Sequence, residues 1–487
     1  MHTLDQLRSG ALAGIRRLDL SCGLTAFPPE IYGLADTLEV LNLSGNALDA
    51  LPHDLGRLHR LRVVFCSDNR FTALPEVLGD CPALEMVGFK ANRIAHVPAA
   101  SLPPALRWLI LTDNAVGMLP AALGARPRLQ KLMLAGNRLQ ALPEGLAGAA
   151  RLELLRISAN AFEALPPWLA DLPRLAWLAC AGNPALAAVE GGDRTGIGIG
   201  AGGSTSHMGG GDGHGGAGRA APGDDGAVPE VPWSQLTLGE RLGEGASGEI
   251  HRAVWRPDTP DTAGATAHDG QPVAVKLFRA AVTSDGWPQR EMAACMAAGT
   301  HPQLIGARGR IVGHPAGRQG LVMPLVDPAF GVLAGPPSLD SCTRDVYAPG
   351  LRLAPGAALR IATGIAAVTA HLHGRGIVHG DLYAHNVLAR ADGAALLGDF
   401  GGAWQVPAAF GTPTAPGTVG AARWQALDVR ALGCLLEELA AVRDPADAAD
   451  AAVLRTLAGR CLQDVPGHRP SAADVHAALA AHIDAAA

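Results

Sequence analysis

Lysine is nearly missing from this sequence: of 39 lysine and arginine residues only Lys90, Lys131 and Lys276 are lysine. A chain that otherwise uses arginine has kept a compact ammonium in Val273-Ala274-Val275-Lys276, a group that can reach between neighbouring anions better than a planar guanidinium fork. Positive charge is not in excess either. The 39 cations meet 45 carboxylates for a formal net charge of −6, which gives no basic field for nucleic acid or for an anionic membrane surface. The eight cysteines include no Cys-x-x-Cys pair, so buried free thiols are expected, Cys66 and Cys180 among them. No apolar run approaches the roughly 20 residues of a membrane helix. Residues Met1 to Arg8 lack the charged start and apolar stretch of an export signal, and a cytoplasmic location is expected. Glycine and proline are abundant, at 61 and 36 residues, alongside 48% hydrophobic and 17% charged residues. That mixture describes folded domains with many turns and at least one unstructured stretch.

The first half is periodic. Asn46, Asn69, Asn92, Asn114, Asn137, Asn160 and Asn183 recur at steps of 23, 23, 22, 23, 23 and 23 residues. Apolar residues precede each asparagine by eight, five and three positions, as Leu129, Leu132 and Leu134 precede Asn137, and Leu-Pro steps such as Leu142-Pro143 follow most of them. The pattern resembles the leucine-rich repeat family over about Ile15 to Pro184. Each Leu-x-Leu segment then forms a short parallel strand, and the asparagine amide satisfies turn backbone that a continuous strand would have paired. One repeat cannot bury its leucines alone, so the units stack and the open ends need caps. Thr3 and Gln6 have capping-box spacing, which predicts a short helix over the first repeat.

Alternation along the strands puts Val40, Val63, Met86, Trp108, Lys131, Leu154 and Trp177 in one row on the concave face, with Phe65, Ile110 and Met133 in the next column. A contiguous apolar strip usually marks a contact surface. A groove for a protein substrate or regulator is therefore expected on Val40, Phe65, Met86, Trp108, Ile110, Met133, Leu154 and Trp177. The alternative is a face that packs on the rest of the chain.

Between Gly191 and Glu230, 16 of 40 residues are glycine with no apolar period, which predicts a disordered tether with an end-to-end distance of roughly 35 Å. Gly-x-Gly-x-x-Gly matches in this stretch, as at Gly198 and Gly211, lead to nothing that could complete a nucleotide site. The match Gly243-Glu244-Gly245-Ala246-Ser247-Gly248 instead follows an apolar strand-like run, continues to Ile250 and precedes Lys276 by about thirty residues. Two strands joined by such a turn can lay backbone N–H groups over phosphates.

From Trp233 to about Ile483 the chain resembles the eukaryotic-type protein kinases. The resemblance implies that Glu291, in an amphipathic segment, pairs with Lys276. It makes Met323-Pro324-Leu325-Val326 the gatekeeper and hinge, Val326 donating to adenine, and adds Leu242 and Ala274 to the nucleotide set. It reads His379-Gly380-Asp381-Leu382-Tyr383-Ala384-His385-Asn386 as the catalytic loop. Asp381 then orients or deprotonates a hydroxyl, while Asn386 and Asp399 of Asp399-Phe400-Gly401 hold magnesium on the ATP phosphates. Asp428 would brace the loop, and Arg469 belongs to a late structural motif.

The chain departs from that family at the catalytic loop. Gly380 replaces the arginine before the catalytic aspartate, which removes the cationic pocket that reads a phosphorylated activation segment. Tyr383 stands where serine/threonine kinases have lysine and His385 where tyrosine kinases have arginine, so a protonated His385 is the replacement cation the loop itself offers. Thr412, Thr414 and Thr418 are the hydroxyls of a short segment without Ala-Pro-Glu. The expected architecture is multidomain: a cap over residues 1–14, an α/β leucine-rich repeat solenoid over 15–188, a linker over 189–230, and a two-lobed α+β protein kinase fold over 231–487. The implied activity is serine/threonine-directed transfer from ATP with magnesium. A nucleotide-binding pseudokinase scaffold and a small-molecule phosphotransferase of the aminoglycoside or choline kinase type remain as alternatives.

Overall fold

The computed structural model describes residues 2–187, 228–257, 270–407 and 420–486. Helix α1 (Leu4–Arg8) opens with the Thr3/Gln6 capping box in place, the Thr3 hydroxyl accepting from the Gln6 N–H and the Gln6 amide oxygen from the Thr3 N–H. Eight strands follow: β1 (Arg17–Asp19), β2 (Val40–Asn42), β3 (Val63–Phe65), β4 (Met86–Gly88), β5 (Trp108–Ile110), β6 (Lys131–Met133), β7 (Leu154–Arg156) and β8 (Trp177–Ala179). They form one parallel sheet in chain order, in register one repeat apart, so that Trp108 lies beside Lys131 and Lys131 beside Leu154.

Each asparagine ties its own repeat to the one before it. Asn137 Nδ2 donates to Leu111 O at 2.8 Å and Leu134 O at 2.9 Å, while its Oδ1 accepts from Val116 N at 2.9 Å. The preceding residue is left-handed at all seven turns, either glycine (Gly45, Gly136, Gly182) or Asp68, Ala91, Asp113 and Ala159. That turn brings the amide back over the strand end, and the mid-strand residues Leu41, Val64, Val87, Leu109, Leu132, Leu155 and Leu178 are sealed inside.

The first strand of the second half starts at Glu230. Strand β9 (Glu230–Pro232) pairs in parallel with β13 and joins a six-stranded sheet ordered β10-β11-β12-β14-β13-β9. The other members are β10 (Leu236–Glu244), β11 (Gly248–Trp255), β12 (Gln271–Phe278), β13 (Gly309–Val312) and β14 (Gly320–Pro324), with helix α2 (Pro288–Ala297) between β12 and β13. The second lobe is helical: α3 (Ala357–Gly374), α4 (Ala421–Val442), α5 (Ala448–Cys461) and α6 (Ala472–Ala486). Short strands edge it: β15 (Gly331–Val332) with β17 (Val387–Ala389) and β18 (Ala395–Leu397), and β16 (Ile377–Val378) with β19 (Trp404–Gln405).

The halves are docked, which corrects the expectation of a loose tether. Trp404, Trp424, Val378 and Leu427 pack within the repeat core, and Leu154, Ala176 and Trp177 of the repeats pack within the helical core of the second lobe. The helical lobe thereby caps the last repeat, whose apolar end would otherwise face water. The glycine-rich stretch lies outside the described residues up to 227.

Candidate active site

Strand β12 carries Lys276 on the face that also presents Ala274, with Ile250 of β11 opposite Lys276 and Met323 of β14 opposite Ala274. The sheet thus gathers four of the expected nucleotide residues. Gly243 and Glu244 of β10 pair with Ile250 and Glu249 of β11, and Gly245 N donates to Gly248 O at 2.9 Å to close the turn between the two strands. A Cβ on Gly248 would sit 2.4 Å from Leu277 O, whereas Gly243 and Gly245 have open space beside them. Leu242 is 45% exposed, and Pro324 and Val326 at the lobe boundary are half-buried.

Lys276 is ion-paired with Glu291 of α2. Burial works against the ammonium, but Glu291 and then Asp399 outweigh it and raise its pKa. Burial raises that of Glu291, Lys276 pulling it back and Asp399 pushing it further up. The Asp399 carboxylate therefore lies in the field of both. Asp399 is exposed, adopts φ of 56°, and accepts from Gly401 N at 3.0 Å.

The loop after β16 is braced from beneath by Asp428 of α4, which is fully buried and accepts from His379 N at 2.7 Å and Gly380 N at 2.9 Å. Asn386 Nδ2 donates to Asp381 O at 2.8 Å and to Asp381 Oδ2 at 3.1 Å. That leaves Asn386 Oδ1 as the atom available to a cation. An amide oxygen and an exposed carboxylate form a hard donor pair that suits magnesium keeping waters and phosphate oxygens as its other ligands.

Two lobes, a glycine hairpin, a lysine–glutamate pair between sheet and helix, and a braced aspartate–asparagine loop stand together, and the comparisons agree. A family model for the protein tyrosine and serine/threonine kinases matches residues 236–437. The second half of the chain is a protein kinase domain. A leucine-rich repeat model matches residues 37–58. A serine/threonine-protein kinase of Streptomyces coelicolor, PkaA, is 31% identical over 280 residues, covering 49% of this chain and 48% of that protein. A Dictyostelium discoideum protein described as a probable serine/threonine-protein kinase is 25% identical over 230 residues, 45% of this chain and 13% of its own length. The chain thus spans about half of one relative and a small part of the other.

The departures of the kinase domain have structural causes. Gly380 has φ of 67°, and a Cβ there would lie 2.4 Å from Leu178 O of the repeats and 2.5 Å from Gly402 O. Tyr383 stacks on Trp177 at 4.2 Å and 8° between planes; burial, and then Asp381, raise its pKa well above the ordinary phenol. His385 is engaged by Asp345, and its field also reaches Asp381. Its Nδ1 lies 2.7 Å from Asp345 Oδ1; burial opposes its charge, yet Asp345 outweighs it and raises its pKa. Thr412, Thr414 and Thr418 lie outside the described residues.

The row expected to hold a partner lies largely against the kinase domain. Leu154 and Trp177 are buried in its helical core, Trp177 Nε1 donating to Leu382 O at 2.9 Å, and Met133 packs at the edge. Met86 and Val63 are buried on Cys342, with Val40, Phe65 and Trp108 partly buried around them. Ile110 is half-buried.

Three residues of this centre escape the motifs: Arg156, Asp285 and Asp345. Arg156 stands four positions before Asn160, in the concave-face column of Phe65, Ile110 and Met133, and a charge among those apolar neighbours is a signal the sequence does carry.

Proposed function

We propose that this protein is an ATP- and magnesium-dependent kinase of protein hydroxyls, directed to serine or threonine as the names of both relatives suggest. The observation that carries the reading is the Lys276–Glu291 pair formed between sheet and helix, with Asp399 in the same field. Bound ATP with its metal supplies the γ-phosphoryl group and neutralises its charge. The hairpin from Gly243 to Gly248 covers the phosphates, Lys276 holds them, and Asn386 and Asp399 hold the metal. Asp381 accepts or orients the proton of the attacking hydroxyl, and Leu242, Ala246, Ser247, Ile250, Ala274, Met323, Pro324 and Val326 enclose the nucleotide.

In this reading the repeats bring a protein substrate or regulator to the kinase domain through the half-buried Val40, Phe65, Trp108 and Ile110, where a competitor would meet the least kinase packing. A cytoplasmic setting belongs to the same reading. All eight cysteines are free thiols and seven are buried, which suits a reducing compartment; among the described residues no helix is long and apolar enough to cross a membrane.

The test is incubation with labelled ATP and magnesium, with and without general protein substrates, beside Asp381→Asn. Label on protein that disappears in the variant is expected. The scaffold alternative draws on Asp381 being only 7% exposed, and nucleotide binding without any transfer would establish it. Label confined to small hydroxylated metabolites would instead establish the small-molecule phosphotransferase.

A further inference from the structure

Among the described contacts, no side chain of the catalytic loop brings a cation into direct contact with Asp381. Tyr383 is neutral, buried and stacked on Trp177, and His385 is held by Asp345. A cation nevertheless reaches the aspartate, 225 residues away in sequence. Arg156, the last residue of β7, donates through Nη2 to Asp381 Oδ1 and through Nη1 to Gly380 O at 3.0 Å, and its Nε lies 2.9 Å from Asp285 Oδ1.

We propose that Arg156 of the repeat array is the positioning residue that supplies the missing active-site cation, so that the repeats complete the catalytic centre of the kinase domain. The proposal rests on the protein kinase reading above. Three observations carry it.

Arg156 is 3% exposed, and its charge has two carboxylates and one carbonyl as neighbours, so it is not a surface residue that happens to touch the loop. A guanidinium buried in this way is held only where carboxylates meet it.

The loop is shaped around it. Gly402 has no room for a Cβ, which would lie 2.9 Å from Arg156 Nη1 and 2.9 Å from Asp381 Cβ. Gly380 leaves space for the Leu178 carbonyl of the next repeat strand, and Gly286, with φ of 125°, would place a Cβ 2.7 Å from Ser158 Cβ. Glycines at these three contacts make the close approach of β7 and β8 part of the kinase sequence itself.

The contact leaves the capacity that a general base needs. An ionised carboxylate has about four acceptor positions. The described contacts to Arg156 and Asn386 leave lone pairs for a substrate hydroxyl. Arg156 thus fixes the orientation of Asp381 without consuming its capacity to accept.

The experiment uses the full chain, a general protein substrate, ATP and magnesium, and compares wild type with Arg156→Ala, Arg156→Lys and Asp381→Asn. Arg156→Ala is expected to lower kcat on the order of 100-fold with little change in KM for ATP, and to recover activity with added guanidinium ion at millimolar concentration. Arg156→Lys should keep part of the rate. Because Arg156→Ala strands the buried Asp381 and the half-buried Asp285, Arg156→Ala with Asp285→Asn is the second variant; it should fold and remain impaired. A rate that rises in Arg156→Ala would show that the arginine obstructs the aspartate and would overturn the proposal, as would an unchanged rate. If neither wild type nor any variant transfers phosphate to protein, the kinase reading falls and takes this inference with it. Activity in wild type that Asp381→Asn abolishes and Arg156→Ala spares rejects only the inference.

Discussion

Glu438 illustrates how closely single residues are packed around the catalytic loop. It sits on α4, bonded to Arg344 at 3.0 Å and to the Tyr347 hydroxyl at 3.2 Å. Burial dominates its titration, and its pKa is raised from 4.5 to about 7 in spite of Arg344, with Asp345 adding to the rise. The folded state therefore binds a proton that the unfolded chain has already lost between the two values, so stability should decline as pH rises through that window. The difference is on the order of 3 kcal/mol. Glu438→Gln is expected to flatten the dependence of the urea midpoint between pH 4.5 and 7; a slope equal to that of wild type would mean other groups carry it. The neighbouring segment links this pair to the active site, since Asp345 accepts from Ala384 N and holds His385.

At the scale of elements, the asparagine ladder is the clearest case of sequence dictating structure. Replacing Asn137 by alanine strands the Val116 N–H, while the Leu111 and Leu134 carbonyls keep Asn114 and Asn160 as donors. A buried group left unpaired costs about 1–3 kcal/mol, so a loss in that range is expected in urea unfolding, and a loss below about 1 kcal/mol would mean water replaces the amide. The period of these asparagines could be read directly, because each repeat solves the same local problem with the same residue. The kinase motifs were legible for a similar reason. Lys276, Glu291, Asp381, Asn386 and Asp399 occupy fixed places relative to strands and turns that the chain marks with glycine and alternating apolar residues. What could not be read was the meeting of β7 with the catalytic loop. Nothing near Arg156 in sequence announces Asp381, and the row from Val40 to Trp177 looks the same whether a foreign protein or the chain's own helical lobe covers it. In the sequence Gly380 is only a missing arginine, whereas in the structure the Leu178 carbonyl fills the place of its side chain.

For the molecule as a whole, the shared cores imply cooperative behaviour. Trp404 and Trp424 lie in the repeat core, with Trp404 Nε1 donating to Leu178 O at 3.1 Å, while Trp177 lies in the kinase core. Arg469 extends the joint by donating to Pro173 O at 2.9 Å, and Arg423 pairs with Asp171. Neither half can lose its structure without exposing apolar surface of the other. Urea unfolding followed by tryptophan emission is expected to show one transition for the array and the helical lobe together, and two well-separated transitions would count against the coupling.

The carbonyl of Leu178 fills the volume that a side chain at position 380 would need. Exchange of parts with related proteins is constrained accordingly. A chimera joining this array to a catalytic unit with arginine at that position would begin with a collision, and one joining this catalytic unit to a foreign array would have a hollow where Arg156 and the Leu178 carbonyl belong. The two halves must therefore be engineered as a matched set.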